Sequence, residues 1–80
     1  MFYVNYTIRN LRGRVVKTSI YGEFEDEKTA KFFRDVRQKH SKRWNCDYEV
    51  VESEKVRTSK AVKERSAQFL KWIESKNINL

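Results

Sequence analysis

Proline is absent from this 80-residue chain, glycine occurs only at Gly13 and Gly22, and cysteine and histidine occur once each. Without proline and with so little glycine, the chain reads as tightly connected elements. It also cannot build a glycine-rich phosphate cradle of the GxGxxG or GxxxxGK[ST] type. A lone Cys46 excludes an internal disulfide and any all-cysteine metal site. His40 and Cys46 leave few options for a nucleophile–base pair, and no HExxH occurs. No run approaches the ~18 consecutive apolar residues that a membrane span needs. Met1–Tyr6 lacks the basic and continuous apolar regions of a signal peptide. A cytoplasmic protein without cofactor or membrane partner is expected.

Positive charge is abundant. Eighteen Lys and Arg stand against eleven Asp and Glu, a net +7. The excess sits at the two ends. Residues 1–24 hold Arg9, Arg12, Arg14 and Lys17 against Glu23 alone. Residues 57–80 hold Arg57, Lys60, Lys63, Arg65, Lys71 and Lys76 against Glu64 and Glu74. Such a balance favours a polyanion or an acidic protein surface as partner. With 39% apolar and 14% aromatic residues, residues 1–80 can form one small domain with a core built on large rings.

Alternation dominates the first 21 residues. Phe2, Val4, Tyr6 and Ile8 alternate with Tyr3, Asn5, Thr7 and Arg9, the period of a half-buried strand. A second alternation sets Val16, Thr18 and Ile20 against Val15, Lys17, Ser19 and Tyr21. Gly13 suits the left-handed position of a three-residue hairpin loop, which would pair Asn10 with Arg14. Counting from that pair sets Ile8 opposite Val16, Tyr6 opposite Thr18 and Val4 opposite Ile20 on the core face.

A helix is expected over about 26–41. Its start is acidic (Glu25, Asp26, Glu27) and its end basic (Arg37, Lys39, Lys42, Arg43), as the helix dipole favours. Its inward stripe is Thr29, Phe33, Val36 and His40, with Ala30 and Phe32 at the margins. Trp44, Cys46, Tyr48 and Val50 alternate with Asn45, Asp47, Glu49 and Val51 to give a third strand. Thr58 or Ser59 can cap a second helix running to about Lys76, with Val62, Ser66, Phe69, Leu70 and Ile73 inward. A helix joining strands two and three leaves them parallel with a gap that strand one fills. The expected fold is α+β: a two-layer ββαβα sandwich with a three-stranded antiparallel sheet, order 2-1-3, and two helices on one face.

Catalytic chemistry is poorly supported by this inventory. Cys46 alternates with core residues, where a thiol behaves as a small hydrophobe. His40 sits among bases with no second His or carboxylate placed beside it by spacing; a nuclease role is outweighed by a helix-end role. Glu25, Asp26 and Glu27 point in different directions on a helix and read as a dipole-matched start rather than a metal site. Asp47 and Glu49 lie on the outward sheet face, where Arg9 or Lys17 can pair with them.

Binding surfaces are better supported. Arg9, Arg12 and Arg14 gather at the hairpin tip with Lys17 behind them, where a basic ribbon can grip phosphate; a purely solubilising tip is the alternative. Lys60, Lys63 and Lys71 form a second basic patch. Arg65, Trp72 and Lys76 fall together beside the apolar stripe of the second helix, with Trp72 either half-buried under Arg65 or free for a partner. Tyr3 and Tyr21 face each other in the deduced register and suggest an aromatic contact on the open sheet face. Tyr6–Arg9, the Gly13 turn, Phe24 and Ala30–Phe33 resemble in outline the arm-binding domains of phage-type integrases. The third strand that this pattern has before its helix is missing, so no family is assigned.

The expected function is a non-enzymatic module that contacts nucleic acid, DNA or RNA, through phosphates. The alternative is an inhibitor or adaptor of the phage or mobile-element kind that covers an acidic protein surface. A sheet edge or the open sheet face also offers a route to a homodimer.

Overall fold

A computed structural model describes residues 1–41 and 45–80. Lys42, Arg43 and Trp44, expected at the end of the first helix and the start of the third strand, lie outside the described residues. The chain forms β1 (Phe2–Arg9), β2 (Val15–Phe24), α1 (Glu27–His40), β3 (Cys46–Glu52) and α2 (Lys60–Ser75). The sheet has the order β2-β1-β3, with both neighbours antiparallel to β1. This is the expected ββαβα arrangement.

The hairpin loop forms as its sequence dictates. Gly13 takes φ +79°, and the Asn10 N–H donates to Arg14 O at 2.8 Å. The Asn10 side-chain oxygen accepts from the backbone N–H groups of Arg12 and Arg14, which fixes the turn. Arg9 then faces Val15, as the count from this turn requires.

Beyond Arg9 the expected register fails. Ile8 faces Lys17 rather than Val16, Tyr6 faces Ser19 rather than Thr18, and Val4 faces Gly22 rather than Ile20. Two bulges in β2, at Val16 and Tyr21, each insert an unpaired residue. One extra residue exchanges the two faces of a strand, and a second restores them. Lys17 and Ser19 therefore share the face of Ile8 and Tyr6, while Thr18 and Ile20 lie opposite Thr7 and Asn5. The expected Tyr3–Tyr21 pair does not form, because Tyr3 faces Glu23.

The core lies on the α1 side of the sheet, around Val4, Phe24, Ala30 and Phe33, with Phe2, Tyr21, Tyr48, Val50 and Phe69 against it. Val4 and Phe33 are fully enclosed, and burial of such a side chain stabilises by about 1.5–3 kcal/mol. Asp26 caps α1 by accepting from the Thr29 N–H, and Ser59 caps α2 through the Val62 N–H.

From β3 the chain crosses to the far side of the sheet. Ser53 N–H donates to Met1 O, Val56 N–H to the Tyr3 hydroxyl, and the Thr58 hydroxyl to Glu23. Tyr3 alternates with the core residue Val4, so this strap passes over the face opposite α1. It leaves Tyr3 only 2% exposed, and the expected role of Tyr3 as an outward contact residue is corrected accordingly.

Helix α2 then packs against β2 at its outer edge. The Ser66 hydroxyl accepts from the Glu23 N–H, and Arg65 donates to Tyr21 O at 2.7 Å. Higher up, Phe69 packs on Phe33, Phe24 and Phe32, and Trp72 stacks on Phe32. The other edge is shorter of free groups, since the Gln38 side chain accepts from Tyr48 N–H and donates to Cys46 O.

Candidate tyrosine–arginine cleft

The helical layer covers only part of the sheet. Ala30 and Phe33 of α1 sit over Val4 and Phe24, and α1 ends at His40. The hairpin continues past it. Tyr6 and Ile8 of β1, Lys17 and Tyr21 of β2, Cys46 and Tyr48 of β3, and Ser41 are left lining a cleft of about 480 Å³.

Three rings form its wall. Tyr21 meets Tyr6 and Tyr48 edge-on, each at 5.6 Å between centroids, and Tyr6 and Tyr48 are 6.4 Å apart. Tyr21 is held from behind by a stacked Phe33 at 5.9 Å. Its place beside that core ring follows from the second bulge, where Tyr21 is the extra residue and lies next to Gly22. A side chain on Gly22 would meet Phe33 at 2.7 Å, so only glycine permits this close approach.

Three cations lie over these rings, each from a different element. The Arg65 guanidinium of α2 is 3.9 Å from the Tyr21 centroid, Arg37 of α1 is 5.1 Å from it, and Lys17 of β2 is 5.8 Å from that of Tyr6. A cation over an aromatic face is worth about 0.5–1 kcal/mol at an exposed site and more when water is excluded. Among the described residues, no carboxylate pairs with Lys17, Arg37 or Arg65, and no Asp or Glu lines the cleft. Burial, with Cys46 and Tyr21 nearby, pushes the Tyr48 phenol above its ordinary value, while Arg37 pulls it down. The cleft thus presents three phenol rings beside positive charge that no carboxylate among the described residues pairs.

The remaining expected binding residues are distributed differently. Arg12 and Arg14 are exposed at the tip, and Arg14 lies three residues, about 10 Å of strand, from Lys17. Arg9 turns back onto the hairpin, donating to Gly13 O and lying 3.8 Å from Asp47, the outward pairing foreseen for that carboxylate. On α2, Lys60, Lys63 and Lys71 stand about 120–160° around the helix from Arg65. That flank is mixed in sign. Lys60 pairs with Glu64 at 3.7 Å, and Lys63 borders a second cavity of about 410 Å³ that Glu23, Glu25 and Asp26 also line. Arg65 covers Tyr21 rather than Trp72; Trp72 is 40% exposed and stacks on α1 instead of the sheet.

The basic residue of the C-terminal helix that reaches the hairpin is therefore Arg65, on Tyr21, rather than Lys60, Lys63 or Lys71. Arg37, expected only as a basic residue at the helix end, stands one helical turn after the core residue Phe33, whose ring it covers at 5.5 Å, and that spacing was the signal for its place at the rings. Tyr6 and Tyr48 were expected in the core and are only half-buried, because α1 stops short of them.

Among the described residues, no group of three or more His, Cys, Asp and Glu is placed to hold a metal ion. No helix there is long and apolar enough to cross a membrane. Cys46 is buried, and His40 is exposed at the end of α1. Comparison with protein families, with curated protein sequences and with solved structures finds no match for this chain.

Proposed function

We propose that this protein is a small non-enzymatic module that binds nucleic acid, chiefly through its phosphates. The observation that carries this reading is that Lys17 lines a tyrosine-walled cleft with no carboxylate among its lining residues, while Arg37 and Arg65, from two further elements, cover the Tyr21 ring of its wall. Among the described residues Arg9, Lys31, Arg34 and Lys60 pair with carboxylates, whereas Lys17, Arg37 and Arg65 lie over aromatic rings. Unbalanced guanidinium groups beside aromatic rings suit a phosphodiester strand, which supplies both negative charge and π-faces. Arg12 and Arg14 extend this positive surface along the hairpin.

The salt dependence of binding tests the proposal. Five cations (Arg12, Arg14, Lys17, Arg37 and Arg65) engaging phosphates give a fall in log K of about 4 per unit of log salt. R12E/R14E replaces two exposed charges, leaves the core untouched and should lower both the affinity and that slope. Retained affinity in this variant sinks the proposal. A second reading, contact with an acidic protein surface by an inhibitor or adaptor, is favoured by apolar exposure on the same hairpin. Leu11, Val15 and Val16 are 90%, 53% and 65% exposed beside the arginines. Absence of nucleic-acid binding even at low salt would select it.

A further inference from the structure

The geometry points to a narrower ligand: we infer that the cleft receives one unpaired nucleotide of a single strand, with its base stacked on Tyr48. This inference rests on the nucleic-acid reading above. The three rings are not equivalent. Tyr21 is occupied on its faces by Phe33, Arg65 and Arg37 and serves to hold the cations in place. Tyr6 carries Lys17. Tyr48 meets its two ring neighbours at 43° and 74°, and among the described residues neither a parallel ring nor a cation lies over it. It is the ring left to stack.

The surroundings fit a base and its sugar. Ile8 and Cys46 give the cleft apolar sides, and its volume of about 480 Å³ lies within the range of roughly 300–1,000 Å³ of small-molecule sites. A base in a duplex has both faces stacked and its pairing edge engaged, so only an unpaired base can offer a face to Tyr48. The phosphates on either side of that base would meet Lys17 and the Arg65–Arg37 pair, which flank the tyrosines from the hairpin and the helices. The second cavity lacks this combination, since Glu23, Glu25 and Asp26 line it and would repel a phosphate.

The test compares labelled oligonucleotides of one sequence as a single strand, as a duplex, and as a single strand with abasic sites in place of its bases. Anisotropy is read on the unaltered protein at one salt concentration. The single strand should bind more tightly than the duplex, and the abasic strand should lose roughly 5- to 150-fold, the worth of one stacked base. Y48L should bring single-strand affinity down toward the duplex value. Equal binding of intact and abasic strands overturns the stacking inference while leaving the phosphate reading intact. Binding of none of the three at low salt overturns both. The abasic comparison decides the matter even where Y48L weakens the fold, because it leaves the protein unchanged.

Discussion

Replacing Gly22 by alanine should destabilise the domain by about 1–2 kcal/mol, although the backbone there is not in the left-handed region and the change adds only a methyl group. The new Cβ would lie 2.7 and 3.1 Å from two ring carbons of Phe33 and 3.2 Å from one of Phe24. Carbon pairs prefer about 3.5–4.0 Å, so the nearest contact is short by about 1 Å. Phe33 has little room to yield: it is fully buried and already meets Phe69 at 4.7 Å and Phe24 at 5.1 Å between centroids. Overfilling a packed core costs about 1–3 kcal/mol. Reduced freedom of the unfolded chain returns about 0.4–1 kcal/mol. The net loss corresponds to a fall in Tm of roughly 5–15 °C for a domain of this size. Thermal unfolding followed by circular dichroism measures it. In an F33L background the smaller side chain should absorb the methyl group, so the two substitutions should couple by about 0.5 kcal/mol or more. An unchanged or raised Tm in G22A would refute the claim that Phe33 is immovable and that Gly22 is required by its proximity.

Two further substitutions address the helix–sheet junction and the cleft. S66A removes the acceptor of the Glu23 N–H and should cost about 1–3 kcal/mol in urea unfolding; an unchanged midpoint would show that α2 docks on β2 without this bond. Tyr48 has a phenol pKa raised in the fold, so its stabilising effect is complete below its unfolded value of about 10 and is lost as pH rises through the folded one. Y48F should therefore lose less stability than the unaltered protein between about pH 9 and 11; parallel losses in both would refute the shift.

Most of the architecture was legible because independent local signals agreed. Turn chemistry at Asn10 and Gly13 fixed the hairpin loop, and Asp26 and Ser59 marked helix starts that the hydrophobic stripes also required. The order of the strands followed from connectivity. The bulges at Val16 and Tyr21 were not legible, since neither residue has the glycine signature that marks some bulges in sequence. Nor was the strap over Tyr3, because its hydrogen bonds join Val56 to Tyr3 and Thr58 to Glu23 across more than thirty residues of chain. The basic residues themselves were visible, but their sorting into balanced and unbalanced groups depends on which acids the fold brings near. Arg9 found Asp47 and Lys60 found Glu64, whereas Arg65 found the face of Tyr21.

The two bulges also account for why the cleft, and not the open sheet face, holds the aromatic and basic groups together. With an unbroken register, Lys17, Ser19 and Tyr21 would share the outward face with Asp47 and Glu49, where carboxylates oppose phosphate. The first bulge turns Lys17 to the side of Ile8 and Tyr6. The second frees Tyr21 from pairing and sets it against Phe33, where Arg37 and Arg65 can cover it. Because the two insertions cancel, Phe24 still reaches the core and the fold retains its hydrophobic centre. Deleting Val16 would remove one bulge alone. Lys17 would then follow Val15 directly and, by count, still face Ile8 with the rest of β2 in phase, so this deletion separates the bulge itself from the side on which Lys17 lies.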